Sequence, residues 1–202
     1  MPAAISNMVM LRSDRLLIPL FGSTEQLGLY IVVATITETL AWPVQAYVDS
    51  RIPHWAQAHC VGSLSLRRVG MGIGAVLALC VLLVGSVASV AVVPLFGAEY
   101  RPSLNFIWPL AVAAGLYGMA RLGVGVSIAR GRPSHALAIE VTGMVAAFAA
   151  YLLLIPALGA LGAAWGCLIG YGTGALAAAI LASWPATRGR NEKLRLIPAG
   201  NR

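Results

Sequence analysis

Six apolar blocks, separated by Pro- and Gly-rich punctuation, account for nearly the whole of this 202-residue chain. They run over about 3–21, 27–48, 69–95, 103–128, 134–155 and 159–184. A bilayer core of ~30 Å, crossed at ~1.5 Å per residue, needs about 20 such residues, so each of the last five can span it. The first is the weakest, because Arg12, Ser13, Asp14 and Arg15 interrupt it. Hydrocarbon offers the backbone no hydrogen bonds, so spanning segments of this kind fold as helices. Charged residues make up only 10% of the chain, against roughly 25% in a soluble domain. The expected fold is therefore all-α: a polytopic integral membrane helix bundle with six transmembrane helices. The six-helix lobe covers residues 1–185, and a basic cytoplasmic tail covers 186–202.

Charge placement predicts how the blocks are threaded. The net charge is +7, but the basic residues are scattered between apolar blocks without interleaved aromatics, which argues against nucleic-acid binding. With the amino terminus inside, the inner loops (49–68, 129–133 and the tail) hold Arg51, Arg67, Arg68, Arg130, Arg132, Arg188, Arg190, Lys193, Arg195 and Arg202. The outer loops (22–26, 96–102 and 156–158) hold only Arg101. The positive-inside rule then puts both termini in the cytoplasm. Residues 49–68 read as a polar connection or a short interfacial helix. Residues 1–22 carry their charges in the middle, without the order of a cleaved signal, so insertion would rely on the helices themselves.

Five ionisable residues fall inside the blocks: Asp14, Arg15, Glu38, Arg121 and Glu140. A charge at the bilayer centre costs several kcal/mol unless it faces protein or water. Thr35, Glu38, Thr39, Trp42, Gln45 and Asp49 recur at three- and four-residue intervals, which puts them on one helical face. That face either lines a cavity or forms a hydrogen-bonded seam with another helix. Arg121, one turn after Tyr117, offers a planar fork suited to phosphate or carboxylate. It either meets an anionic substrate or pairs with Glu38, Glu140 or Asp14. Glu140 lies about two turns into its block, which places it near the inner interface and partly hydrated. Asp14 and Arg15 are adjacent, about 100° apart on a helix, and cannot point the same way.

Other patterns read as structural. Gly162, Gly166, Gly170 and Gly174 form a ladder on one face, and Gly70 and Gly74 share its spacing; such stripes let helices approach closely. Cys60, Cys80 and Cys167 have no paired spacing, and cysteine in an apolar block behaves as a small hydrophobe. The spacing of His54, His59 and Cys60 fits no helical metal motif. No nucleophile elbow, phosphate loop, paired-cysteine motif or metalloprotease helix is present. These observations favour a transport role without a cofactor over an enzyme.

Ser13-Asp14-Arg15-Leu16-Leu17-Ile18, then Phe21-Gly22 and Leu27-Gly28-Leu29-Tyr30, resemble the start of the second half of bacterial polysaccharide flippases. These belong to the multidrug/oligosaccharidyl-lipid/polysaccharide exporter superfamily. Pro94-Leu95-Phe96-Gly97-Ala98-Glu99-Tyr100 resembles a loop of those proteins. So do the turn Arg130-Gly131-Arg132-Pro133 and the hairpin from Ile155-Pro156 to Ala163-Ala164. Together these motifs cover most of the chain, in order. The resemblance implies one lobe of a two-lobe transporter of the bacterial inner membrane, working by alternating access. Its implied cargo is a lipid-linked oligosaccharide on an isoprenoid pyrophosphate carrier, flipped for O-antigen, lipopolysaccharide or exopolysaccharide assembly. Arg121 and Arg15 would meet the pyrophosphate, with Glu38, Trp42, Gln45 and Tyr117 along the path. Asp14, Glu38 or Glu140 would carry a coupling proton or cation. The match covers only the second lobe, so a partner lobe or a second copy is implied. The alternatives are a multidrug/cation antiporter of the same superfamily, and a non-transporting scaffold or gene remnant.

Overall fold

A computed structural model of the chain describes residues 13–21, 23–61 and 66–183. Among them there is no strand; the elements are seven helices and one 3-10 turn. Helix α1 occupies 13–21, α2 Thr24–Glu38, α3 Ala41–Val61 and α4 Leu66–Phe96. A 3-10 turn over Ala98–Ser103 leads into α5 (Leu104–Ala129), α6 (Pro133–Leu158) and α7 (Ala160–Ser183). Five spans are long and apolar enough to cross a membrane: Thr24–Gln57, Gly70–Phe96, Ala98–Ala129, Pro133–Leu158 and Ala160–Leu181. The chain is thus a multi-pass helical membrane bundle. The first expected block falls within the described residues only over 13–21, where it is helical, and the basic tail at 186–202 lies outside them.

Local chemistry sets the helix ends. Ser23 caps α2, its hydroxyl accepting from the Gln26 N–H at 3.2 Å. Between α2 and α3 the chain bends at Thr39–Leu40, where the Leu40 N–H reaches back to the Thr37 carbonyl at 3.1 Å. Pro43 explains the bend: it has no N–H to donate to the Thr39 carbonyl, and its ring crowds that carbonyl. Helix α5 ends in a Schellman turn. Gly131 takes a left-handed φ of 68°, its N–H bonds the Ile128 carbonyl, and the Arg132 N–H bonds that of Ser127, each at 2.9 Å. Pro133 then opens α6, where a missing N–H has no cost.

The connection expected over 49–68 is helical as far as Val61, as the continuation of α3. Val44, Val48, Ile52, Trp55 and Ala56 recur at helical spacing and pack on Leu122, Val126 and Ala129 of α5. Average polarity hid this amphipathic stripe, whose anchor is Trp55, only 4% exposed.

Helix α5 is the hub, packed against α2, α3, α4, α6 and α7. At the end carrying the 97–103 and 159 turns, one large core joins Tyr30, Val92, Ile107, Tyr151, Ile155 and Ala163. Toward the opposite end the core divides. One cluster ties α3 to α5 through Val48, Trp55 and Leu122, and another ties α5 to α6 and α7 through Val124, Ile139 and Ala178. Long side chains of α4, such as Leu79, Leu83, Val87 and Val90, face outward.

The glycine ladder of α7 packs as expected. Gly166 lies against the Tyr151 ring, and the Gly170 carbonyl would stand 3.1 Å from a Cβ on Gly143. Gly70 and Gly74 do not behave alike: a Cβ on Gly70 meets nothing within 4 Å, and one on Gly74 makes only ordinary contact with Met119. The closer approaches occur on α5, where Gly115 lies under Val81 and Gly123 under Ala178.

Gly159, at φ 57°, joins α6 to α7 beneath the Gln26 side chain of α2, whose Oε1 accepts from the Ala160 N–H at 3.3 Å. Gly159→Ala is expected to destabilise the bundle by about 1–3 kcal/mol through backbone strain, with a further clash against Gln26. Thermal unfolding in detergent should show a lowered Tm, and a Tm equal to wild type would exclude this close packing.

Candidate functional site

Two polar clusters occupy the interior, one on each side of a tyrosine pair. The first joins α1, α2, α6 and α7. Asp14 is 3% exposed, accepts from the Tyr30 hydroxyl at 2.6 Å and takes its neighbour's backbone N–H at 2.8 Å. Cys167 Sγ lies 3.4 Å from the Tyr30 hydroxyl, 3.1 Å from the Tyr151 hydroxyl and 3.9 Å from Asp14 Oδ2. Arg15 points away from this cluster and bridges to Glu38 across α1 and α2. The adjacent pair thus divides as the helical angle demands: Asp14 enters the core, and Arg15 pairs along its flank.

The second cluster centres on Arg121 of α5. Its Nη1 bonds Glu140 of α6 at 2.9 Å, and its Nη2 forms a looser ion pair with Asp49 of α3 at 3.5 Å. Glu140 is 8% exposed, so it is buried against Arg121 rather than partly hydrated. Distance from the helix end misled: α6 turns Glu140 inward onto Arg121, and the partner decides its surroundings. Asp49 is half-exposed at the margin of the cluster.

Tyr117 and Tyr171 separate the clusters, stacked edge to face at 5.2 Å, with the Tyr117 hydroxyl donating to Gln45 at 3.0 Å. Both rings line two small cavities. One, of about 30 Å³, is bordered by Asp14, Tyr30, Thr37 and Cys167. The other, of about 20 Å³, is bordered by Arg121, Glu140, Gly143 and Gly174. A water needs about 10–15 Å³ by this measure, so each has room for a water or two and none for a sugar.

The expected polar face along 35–49 is not a single face. Glu38 and Gln45 turn toward the bundle, while Thr35 and Thr39 lie on the exposed side. Trp42, expected along the path, is 75% exposed on the outside of the bundle. The inward half forms interhelical hydrogen bonds and ion pairs, closer to the seam reading than to an open cavity.

Sequence reasoning missed Tyr30, Tyr151, Tyr171 and Cys167 as polar partners. Cys167 is not merely a small hydrophobe, because its sulfur sits between two hydroxyls and a carboxylate. The available signal was tyrosine inside apolar blocks, where each hydroxyl needs a partner. The side chains of His59 and Cys60 lie outside the described set.

Removing one partner of a buried ion pair leaves an uncompensated charge. Glu140→Gln is expected to cost about 3–5 kcal/mol of stability, with Arg121→Met/Glu140→Met recovering most of it. Unfolding in detergent measures both, and a double variant no more stable than Glu140→Gln would contradict the pairing. No protein-family model, curated protein or solved structure matches the chain.

Proposed function

We propose that this chain is one lobe of a membrane transporter that flips a lipid-linked oligosaccharide by alternating access. Arg121 carries the proposal. It is a permanent cation within a membrane bundle, shared between carboxylates on two helices, with its buried Nε lacking a hydrogen-bond partner. The apolar clusters on either side of α5 are separate at this end, so parting α3 from α6 would free Arg121 to bind an anion. A pyrophosphate oxygen would replace Asp49, the looser and more exposed partner. The ordered motif resemblance supplies the cargo class: an isoprenoid pyrophosphate oligosaccharide of surface-polysaccharide synthesis.

Among the described residues the two polar clusters hold three inward carboxyls (Asp14, Glu38 and Glu140), with Asp49 at the margin, against two guanidiniums, those of Arg15 and Arg121. Among the described ion pairs none involves Asp14. Asp14 is therefore the proposed carrier of the coupling proton, with Tyr30 and Cys167 as its neighbours. The location that accompanies this reading is a bacterial inner membrane with both termini cytoplasmic, supported by the ten-to-one distribution of basic residues. A second transporter lobe or a second copy completes the cavity.

A non-transporting scaffold is the second reading. Two observations favour it: both interior arginines are already ion-paired, and the interior cavities have room only for water.

In the native host, Arg121→Ala is expected to reduce surface polysaccharide by about tenfold or more, since losing a charged hydrogen bond costs about 1.5–3 kcal/mol. Arg121→Lys should rescue part of it, keeping the charge without the fork. Normal polymer from a stably expressed Arg121→Ala protein would reject transport by this residue and favour the scaffold. A reporter fused after Arg202 should be active only in its cytoplasmic form, and activity of a periplasmic reporter would reverse the topology.

A further inference from the structure

Helices α3 and α4 both pack on α5 rather than on one another. They converge at Gly118, where Leu77 of α4 and Val44 of α3 would stand 2.9 and 3.3 Å from a Cβ. Elsewhere they diverge and leave a groove of about 680 Å³. Its walls are Pro43 and Tyr47 of α3, and Gly72, Ile73, Val76 and Cys80 of α4. Gly72 keeps one wall open, since a Cβ there meets nothing within 4 Å. This volume is in the range of ligand sites, whereas the interior cavities have room only for a water or two. It is also separate from the Arg121 and Asp14 clusters.

Both walls belong to membrane-spanning segments, so the surrounding solvent is hydrocarbon. The groove also has a polar end. Tyr47 is 43% exposed, and the Arg51 guanidinium lies 5.4 Å from its ring centre. Among the described residues no carboxylate bridges Arg51. An apolar slot ending at a cation without an acid partner matches a molecule with a long hydrocarbon chain and an anionic head. The geometry points to a binding groove for one acyl chain of an anionic bilayer phospholipid, with its phosphate on Arg51. Bound there, the lipid fills the space between α3 and α4 and props α3 against α5.

The test uses the full chain in bilayers containing phosphatidylglycerol with a diazirine on its acyl chain. Photolabelling should concentrate on Val44, Tyr47, Ile73 and Val76 over Val90, which is 76% exposed on the same helix beyond the groove. Gly72→Trp fills the groove and should remove that excess while leaving Val90 labelling unchanged. Val76→Trp, at a position already 61% exposed, serves as a second filling variant should the first fail to fold. Arg51→Ala should lower the preference for phosphatidylglycerol over phosphatidylcholine by about fivefold, the contribution of one basic residue near anionic lipid. Equal labelling of the groove and Val90 overturns the assignment. Displacement of the label by an isoprenoid phosphate but not by unlabelled phosphatidylglycerol also overturns it, assigning the groove to the carrier lipid. Crosslinking of groove residues to a second copy of the chain overturns it in favour of a protein interface.

Discussion

The guanidinium of Arg121 must be neutralised inside a bundle whose solvent is hydrocarbon, and the arrangement of three helices follows from how this is done. Glu140 brings α6 to one side of α5, and Asp49 brings α3 to the other. Neither contact needs to add much net stability, since burying an ion pair costs nearly what the attraction returns. Their effect is specificity. Rotating α6 by one residue, about 100°, would leave Glu140 without its partner and Arg121 with only the looser Asp49, so the pair selects the helix faces that meet. The apolar clusters at this end then form separately on the two sides of α5.

The opposite end is held by close packing. A single core draws on all seven helices, α3 only through Ala41, and the α7 glycines let α6 approach until Tyr151 lies on Gly166. Gln26 adds a polar tie from α2 to the first turn of α7. The bundle is thus continuous at one end and divided at the other, and the ion-paired Arg121 sits where the division begins. The Tyr117–Tyr171 pair marks the boundary between the two regimes.

Much of this was legible in the residues themselves. Apolar run length gave the helices, Gly131 with Pro133 gave a turn, and the α7 ladder gave a packing face; the loop expected at 156–158 is instead the last turn of α6, and the chain reverses at Gly159. The interior charges were legible as a set but not as pairs. Glu140 read as interfacial because its depth was counted along the chain, whereas its environment is set by Arg121, nineteen residues away. Trp42 read as inward because periodicity groups residues on one face without saying where that face points, and Thr35, Thr39 and Trp42 share the exposed side. Gly70 and Gly74 had the spacing of a packing stripe, yet Gly70 has no neighbour and Gly74 only an ordinary contact with Met119. The groove between α3 and α4 had no signature, since it arises from two helices leaning on a third.

The sequence by itself determined that the chain is a bundle of membrane-crossing helices, because length and apolarity are local properties and hydrocarbon permits few backbone conformations. It also singled out Glu38, Arg121 and Glu140 as ionisable groups within the spans. Only the tertiary structure decided their partners. Asp14 rests on Tyr30 beside Cys167, Arg15 reaches Glu38, and Arg121 lies between Glu140 and Asp49. Pairing depends on the rotation and crossing of helices far apart in the chain, and no window of residues contains that information.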